Sequence, residues 1–317
     1  MRTVFMGSPE EVVEPLKYIL SNIKELEVVA VISQPARKVG RGKKLADPPL
    51  AAFAKEAGIP TLQPEKASSD DFLSSFRDLD PDLVITAAYG QILSDEFLKI
   101  PKRGTINIHP SLLPIYRGAT PVQTALLNGD KETAVSILFT VKKMDAGNII
   151  CQKSFAIEDD ETTQSLLPRL FKESGPMLNQ AVELLNDPSF TGNAQNENDV
   201  VHCKKIQKED GFISFKEEAE VIYNKYRGLT PWPGTYGYIA ELRVSFEKMV
   251  PLETSDLSPG EFKFLKPLKL IAVGTSKGDI GISILKPAGK KSIDAPSFWN
   301  GLKDKSNTKF SESEPNG

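Results

Sequence analysis

The sequence predicts an α/β fold, with an N-terminal doubly wound, mostly parallel sheet and a smaller C-terminal β-barrel of the OB type. Up to about residue 150, short apolar runs alternate with helical patterns, which is typical of a parallel sheet covered by helices on both faces. The last third contains short β runs separated by glycine turns, as small barrels do. A chain of 317 residues is long for one core, so two domains are expected.

The first elements begin at recognisable start signals. Thr3–Met6 is the first predicted strand, and Ser8 and Pro9 then suit the N-cap and first turn of a helix. Val28–Ile32 is the second strand, and Asp47 precedes the next helix in the same way. The first turn lacks G-x-G-x-x-G, so the dinucleotide fingerprint of Rossmann folds is missing.

The remaining elements divide the chain into domains. Further strands are predicted at Leu83–Ala87, Thr105–His109, Thr133–Val141 and Asn148–Cys151. A helical segment from about Thr162 to Asn186 contains Pro168 and Pro176, which are expected to break it. The prediction is therefore a first domain at 1–186, a polar linker at 187–207, a second domain at 208–305 and a polar, disordered tail at 306–317.

Composition limits the possible classes of protein. Apolar residues make up 40% and charged residues 26%, which is ordinary for a globular protein. No apolar run approaches the ~18–20 residues that span a bilayer, and the N-terminus lacks a signal-peptide core, so a cytoplasmic protein without membrane contact is expected. Two cysteines, Cys151 and Cys203, and two histidines form neither a disulfide framework nor a metal site.

Positive charge is concentrated in two places. The net charge is −3, yet residues 262–309 hold ten lysines against three aspartates, a local charge of +7. A second basic cluster occupies residues 37–44. Two basic clusters on an acidic chain indicate a polyanionic partner with a limited footprint.

The most informative stretch is residues 105–121, TINIHPSLLPIYRGATP. Asn107 and His109 are two apart in a β run, so their side chains should share a face. Pro110 ends the strand, at the carboxyl edge where open α/β sheets bind ligands. An amide beside an imidazole can stabilise a developing oxyanion, and the imidazole can also move a proton.

A carboxylate completes this set, and two other polar residues are weaker candidates. Asp145 lies in a loop between two apolar runs and is available to orient His109. A lone Asn or His at a strand end is more often a turn or cap residue, and His202 lies in a polar, solvated stretch. Ser111 is not expected to be a nucleophile, because no G-x-S-x-G elbow surrounds it.

The full string N-x-H-x-S-L-L-P-x-Y-R-G, with D-x-G about 36 residues later, resembles the signature of the 10-formyltetrahydrofolate-dependent formyltransferases. The opening turn GSPEE, the loop GRGKKL, the segment AYGQIL and the later PWP and LKPAGKK are similar to landmarks of the methionyl-tRNA formyltransferases. Glycinamide ribonucleotide and sugar-nucleotide formyltransferases share the Asn-His-Asp set, but the basic loop and the OB-like domain favour the tRNA family.

The resemblance implies formyl transfer from N10 of 10-formyltetrahydrofolate to the α-amine of methionyl-initiator tRNA, by a monomer without a metal. It implies catalytic roles for Asn107, His109 and Asp145. The residues implied to bind folate are Ala88, Tyr89, Gly90, Ile92, Leu93, Ser111, Leu112, Leu113 and Pro114. Those implied to bind tRNA are Arg41, Lys43, Lys44, Lys286, Lys290 and Lys291.

Two other function classes stay open on the sequence alone. One is a related formyltransferase or hydrolase that uses a small amine or water as acceptor. The other is a non-catalytic RNA-binding protein, which the presence of the Asn-His-Asp set argues against.

Overall fold

The computed structural model describes residues 1–39, 44–253, 256–302 and 308–314. Within it the chain forms two compact units. The first comprises residues 1–121, 132–156 and 166–203, and the second comprises 122–131, 157–165 and the described residues from 204 onward.

Residues 122–131 and 157–165 belong to the second unit, although residues 166–203, which follow them in the chain, belong to the first. The contiguous division expected from the sequence does not include this alternation. Long-range hydrogen bonds explain the placement of residues 157–165. The Thr163 hydroxyl donates to the Gly228 carbonyl at 2.8 Å, and the Arg227 guanidinium donates to the Glu158 carbonyl at 3.3 Å. Contacts between residues 65 to 69 positions apart leave no local signal in the sequence.

The elements from the N-terminus through the long helix are, in chain order, β1 (Arg2–Gly7), α1 (Val13–Asn22), β2 (Glu27–Ile32), β3 (Arg37–Val39), β4 (Lys44–Ala46), α2 (Pro49–Glu56), β5 (Thr61–Leu62), α3 (Asp70–Asp78), β6 (Leu83–Ala87), α4 (Asp95–Leu98), β7 (Thr105–His109), α5 (Pro121–Asn128), β8 (Glu132–Phe139), β9 (Ile149–Ala156) and α6 (Thr163–Leu185).

Seven of these strands form one sheet in the order β5-β2-β1-β6-β7-β8-β9. Pairing is parallel from β5 to β7 and antiparallel for β8 and β9. The central strand β6 is buried at every position, as expected for a parallel sheet. The predicted fold class, a mostly parallel sheet with helices, is therefore confirmed.

Two helix starts differ from the prediction. A 3-10 turn at Glu10–Val12 precedes α1, and the Ser8 hydroxyl accepts the Gln34 backbone N–H at 3.2 Å instead of capping the helix. Asp47 forms an ion pair with Lys55 at 2.6 Å and caps nothing in α2. Ser8 bonds to a residue 26 positions away, and Asp47 pairs with a side chain of α2 and not with the backbone N–H groups at its start.

The predicted break at Pro168 and Pro176 is wrong. Both prolines lie inside the continuous helix α6. One face of this helix is buried, with Leu166, Leu178 and Val182 at most 1% exposed. Burial of that face outweighs the two lost backbone donors.

The second unit contains α7 (Ala219–Leu229), β10 (Thr235–Ile239), β11 (Leu242–Leu252), β12 (Phe262–Leu265), β13 (Leu270–Gly274), β14 (Asp279–Pro287), β15 (Ile293–Asp294) and α8 (Ala295–Gly301). Its antiparallel sheet runs β10-β11-β14-β13-β12, with β15 paired to β14. The long strand β11 is bulged between Phe246 and Met249, which bends the strand. This is the antiparallel β domain that the sequence predicts.

Residues 308–314, the described part of the predicted tail, contribute to this core, contrary to the expectation that the tail is disordered. Phe310 is 1% exposed and belongs to the apolar core of the second unit. Its ring centroid lies 5.0 Å from that of Phe262, 5.1 Å from Phe215 and 5.4 Å from Phe246. A single aromatic residue in a polar segment has no periodic pattern, so no local signal marks this anchor.

Among the described residues, no helix combines the length and the apolar composition required to cross a bilayer.

Candidate active site

The candidate site begins at the carboxyl end of β7, where Asn107 is half-buried. The Thr86 hydroxyl on the adjacent β6 lies 2.9 Å from Asn107 Oδ1 and shares its one hydrogen between this oxygen and the Ile106 carbonyl, 3.0 Å away. On its other side the amide places Nδ2 3.5 Å from Asp145 Oδ1, and an ionised carboxylate only accepts. Thr86 and Asp145 together therefore fix which end of the amide faces the candidate site.

His109 is 4% exposed at the last position of β7. Its Nε2 lies 3.0 Å from the Tyr116 carbonyl, which can only accept, so Nε2 carries the proton. Nδ1 faces Asp145 Oδ2 at 3.7 Å. Both ring nitrogens thus face protein groups, which differs from the expectation that an N–H of His109 points directly at a reacting oxygen.

The Asp145 loop is held in an unusual backbone conformation. Asp145 has a φ of 50°, a left-handed conformation that costs free energy for a non-glycine residue. The Gly118 N–H donates to Asp145 Oδ2 at 2.8 Å. At Gly147, a Cβ would lie 1.8 Å from the Phe139 carbonyl oxygen, so only glycine permits the turn to close on the end of β8.

The loop after β7 is held by a hydrogen bond within the loop and by others from the neighbouring strands β8 and β9. Ser111 is buried and its hydroxyl donates to the Ile115 carbonyl at 2.8 Å. Ser136 donates to the Ser111 carbonyl at 2.6 Å, and Gln152 donates to the Leu113 carbonyl at 3.1 Å. Leu113 is 3% exposed, whereas Leu112 is 37% exposed. Leu112, rather than Leu113, therefore offers an apolar side chain at the surface.

The segment after β6 likewise contains both buried and exposed residues. Tyr89 and Leu93 belong to the sheet's apolar core, and burial raises the pKa of the Tyr89 hydroxyl. Ala88 and Gly90 are exposed, while Ile92 is 80% exposed. Of the residues proposed from the sequence for folate here, Tyr89 and Leu93 thus face the core, so any contact through them would use their backbone.

No cluster of three or more His, Cys, Asp or Glu suited to a metal ion occurs in the described part of the chain.

Both parts of the chain are similar to known proteins. Residues 1–182 match the formyl transferase family and residues 205–303 match the formyl transferase C-terminal domain. The chain is 35% identical over 300 residues to the methionyl-tRNA formyltransferase of Thermodesulfovibrio yellowstonii, covering 95% of this chain and 96% of that protein. It is 36% identical over 314 residues to the Bacillus cereus methionyl-tRNA formyltransferase, covering 98% and 99%.

The chain belongs to the methionyl-tRNA formyltransferase family.

A solved structure is similar in fold to this family member. HypX from Aquifex aeolicus, in complex with tetrahydrofolic acid, gives a TM-score of 0.64 at 16% identity. The match covers 94% of this chain and 46% of HypX, so the chain spans about half the length of that protein.

The basic residues proposed to bind tRNA in this formyltransferase are only partly described. Arg41 and Lys43 lie outside the described residues, and Lys44 is exposed on β4. Lys286, Lys290 and Lys291 are exposed at the end of β14 and just beyond it. Lys286 lies 3.9 Å from Glu247, which offsets part of its charge.

Several site residues of this formyltransferase escaped sequence reasoning. Asn107, His109 and Asp145 form a trio of polar side chains. Direct contacts to this trio come from Thr86, Tyr116 and Gly118, and Arg117 and Gln195 lie behind it. Gly118 stands inside the R-G of the motif and could have been found there. Gln195 lies in a polar stretch that resembles any linker, so nothing local singled it out.

Proposed function

We propose that the chain transfers the formyl group of 10-formyltetrahydrofolate to the α-amine of methionyl-initiator tRNA. The observation that carries the proposal is the meeting of three polar side chains at one sheet edge. Asp145 lies 3.5 Å from Asn107 and 3.7 Å from His109, although 38 and 36 residues separate it from them in the chain. The full-length relatives named methionyl-tRNA formyltransferase point to the same reaction.

The reaction needs one bond made, one broken and one proton moved. The amine lone pair attacks the formyl carbon, and the C=O electrons move to oxygen. Collapse of this tetrahedral species breaks the bond to N10, which takes up a proton, while the attacking nitrogen loses one. The protein can lower this barrier by binding the negative oxygen and by accepting the amine proton.

Asn107 is the proposed donor to the negative oxygen. Its Nδ2 is turned towards the site because Thr86 engages Oδ1. An amide fixed in advance needs no reorganisation when charge develops, which is the source of most oxyanion stabilisation.

Asp145 is the proposed acceptor of the amine proton, directly or through a water, and His109 holds it. His109 spends its Nε2–H on the Tyr116 carbonyl, which directs Nδ1 to Asp145. Only the imidazolium form of His109 carries a second proton on Nδ1, and that form donates to the carboxylate.

Folate is proposed to bind beside this trio, on the loops that follow β6 and β7. Ile92 and Leu112 are exposed apolar side chains on those loops. Ala88 and Gly90 are exposed beside them, and Pro114 is half-buried. Apolar surface with a few fixed polar groups suits a flat heterocycle. Ser111 and Leu113, which are buried, would shape the loop and not touch the ligand.

The direct test is incubation of the purified protein with 10-formyltetrahydrofolate and charged initiator tRNA. N-formylmethionine on the tRNA is the expected product. Formylation of a small amine in place of the charged tRNA would favour a related formyltransferase, and a protein that binds tRNA without forming product would reduce the proposal to RNA binding.

The C-terminal lysines are expected to supply tRNA affinity. Changing Lys286, Lys290 and Lys291 together to glutamine should raise KM for tRNA and leave kcat nearly unchanged. Each lysine that contacts phosphate adds about 0.9 to the salt slope on duplex DNA, so the slope for tRNA should flatten. Lys286 should contribute least, because Glu247 lies beside it.

A matched control is available for this triple variant. Lys24, Lys66 and Lys99 are exposed in the first unit, and their change to glutamine alters the net charge equally. The assignment fails if the C-terminal triple variant keeps the wild-type salt slope.

Arg41 is expected to contact the tRNA acceptor end. The connection between β2 and α2 contains the paired strands β3 and β4 and is longer than the 2–6 residues usual for a βα connection. It carries Arg41, Lys43 and Lys44. Arg41→Ala should raise KM for tRNA and leave the Kd for tetrahydrofolate unchanged. Arg77→Ala, at an exposed position on α3, is the control, and equal loss of tRNA use and folate binding by Arg41→Ala would contradict the role.

A further inference from the structure

A buried arginine lies directly behind the Asp145 loop. Arg117 is 0% exposed and precedes Gly118, whose N–H holds Asp145 Oδ2. Its Nε and Nη2 donate to Gln195 Oε1 at 3.0 and 2.9 Å, and Nη2 also donates to Glu197 Oε1 at 2.9 Å. A guanidinium taken fully out of water requires such partners. Gln195 and Glu197 satisfy Nε and Nη2, whereas Nη1 has no hydrogen-bond partner among the described residues.

Gln195 connects that arginine to the catalytic loop. Its Nε2 donates to the carbonyls of Asp145 and Gly147, both at 2.8 Å. A glutamine amide has one accepting end and one donating end. Because Arg117 occupies the accepting end, the donating end must face the loop.

The loop needs an external hold of this kind. Asp145 sits at φ 50°, a conformation that persists only where the surrounding structure imposes it. Gln195 spans the two carbonyls on either side of Ala146 and so fixes the turn that aims the carboxylate.

We propose that Gln195, oriented by Arg117, is a positioning residue that holds the Asp145 carboxylate against His109 and Asn107. The inference rests on the proposed role of Asp145 in formyl transfer, and Gln195 itself touches no reacting atom. It also gives the first part of the predicted linker, residues 187–207, a role in the active site.

Glu197 completes the outer side of the arrangement without touching the loop backbone. It lies 2.5 Å from Lys143 and 2.9 Å from Arg117 and is 58% exposed. The hydrogen bonds from Lys143 and then Arg117 lower the pKa of Glu197 to about 2. It therefore stays ionised at neutral pH and offsets part of the charge of Arg117, whatever stands at position 195.

The variant Gln195→Glu tests the donating end of the Gln195 amide separately from its accepting end. The variant keeps the size and the acceptor for Arg117, but it sets a carboxylate oxygen against the two loop carbonyls. A displaced catalytic group can cost up to about 10²-fold in rate. We expect kcat to fall by roughly tenfold to a hundredfold, with KM for both substrates changed by less than about threefold.

Two further variants keep this test decisive. Gln195→Met retains length without adding charge. It removes the two donors to the loop together with the acceptor for Arg117 and should lose at least as much kcat, so it carries the test if Gln195→Glu does not fold. Asn196→Ala alters the neighbouring side chain, which bonds only to Asn198 and Asp199 among the contacts described for it, and should leave kcat at the wild-type value.

Coupling to Asp145 separates positioning from general stability. If Gln195 acts through Asp145, then adding Gln195→Glu to Asp145→Asn should cost less than about twofold beyond Asp145→Asn alone in single-turnover rates. Losses that multiply would overturn the proposal, as would an active wild type whose two Gln195 variants keep their kcat. A wild type that forms no formylmethionine would instead overturn the proposed function, and the positioning role with it.

Discussion

Replacing Asn107 with alanine is expected to lower kcat for formyl transfer by about 10²–10³, the usual cost of losing one oxyanion donor. The side chain is suited to that role because Thr86 fixes its oxygen at 2.9 Å and leaves Nδ2 facing Asp145. His109→Ala and Asp145→Asn are expected to lose at least as much, since each removes part of the pair that handles the proton.

Single-turnover formation of N-formylmethionyl-tRNA measures this loss without interference from product release. Asn22→Ala is a matched control, because Asn22 is exposed on α1 and donates only to the Tyr18 carbonyl among its described contacts. Each variant is compared by thermal melting with the wild type. If one of the three folded variants turns over within about threefold of the wild type, that residue has no part in the chemistry.

Replacing Phe310 with alanine is expected to destabilise the second unit by about 3–5 kcal/mol, the usual cost of removing a buried phenylalanine. The ring is 1% exposed and lies among Phe215, Phe246 and Phe262. Its removal would leave a cavity that three rigid rings cannot easily fill.

Urea unfolding followed by tryptophan fluorescence reports this change. Trp299 packs against Phe264 in the same core, with ring centroids 6.1 Å apart, whereas Trp232 is 55% exposed. Ser313→Ala, at an exposed tail position, should leave the transition in place. A loss below about 1 kcal/mol for Phe310→Ala would mean that the tail does not anchor the unit.

The sequence specifies the sheet because its signals are local. Alternating apolar runs mark the strands, and the period of two along β7 brings Asn107 and His109 to one edge. The partner of His109, by contrast, lies far from it in the sequence. Asp145 is 36 residues away. Its place in a loop between two apolar runs made it a candidate, and the resemblance to known formyltransferases assigned it to the set.

The features that escaped prediction depend on tertiary contacts. Helix α6 continues through Pro168 because its buried face outweighs a local rule. Gln195 is informative only beside Arg117, and Phe310 only beside the rings that surround it. In each case the deciding partner lies far along the chain, where single-sequence patterns carry no information.

The central claim is that this chain passes a formyl group from folate to the methionyl amine and not to water. The stoichiometry of the two products tests it most directly, with tetrahydrofolate and N-formylmethionyl-tRNA measured in the same reaction. We expect one formylmethionine for each tetrahydrofolate released, and no release of tetrahydrofolate above the uncatalysed rate when charged tRNA is left out. Release of formate and tetrahydrofolate at an undiminished rate without the amine acceptor would contradict the account.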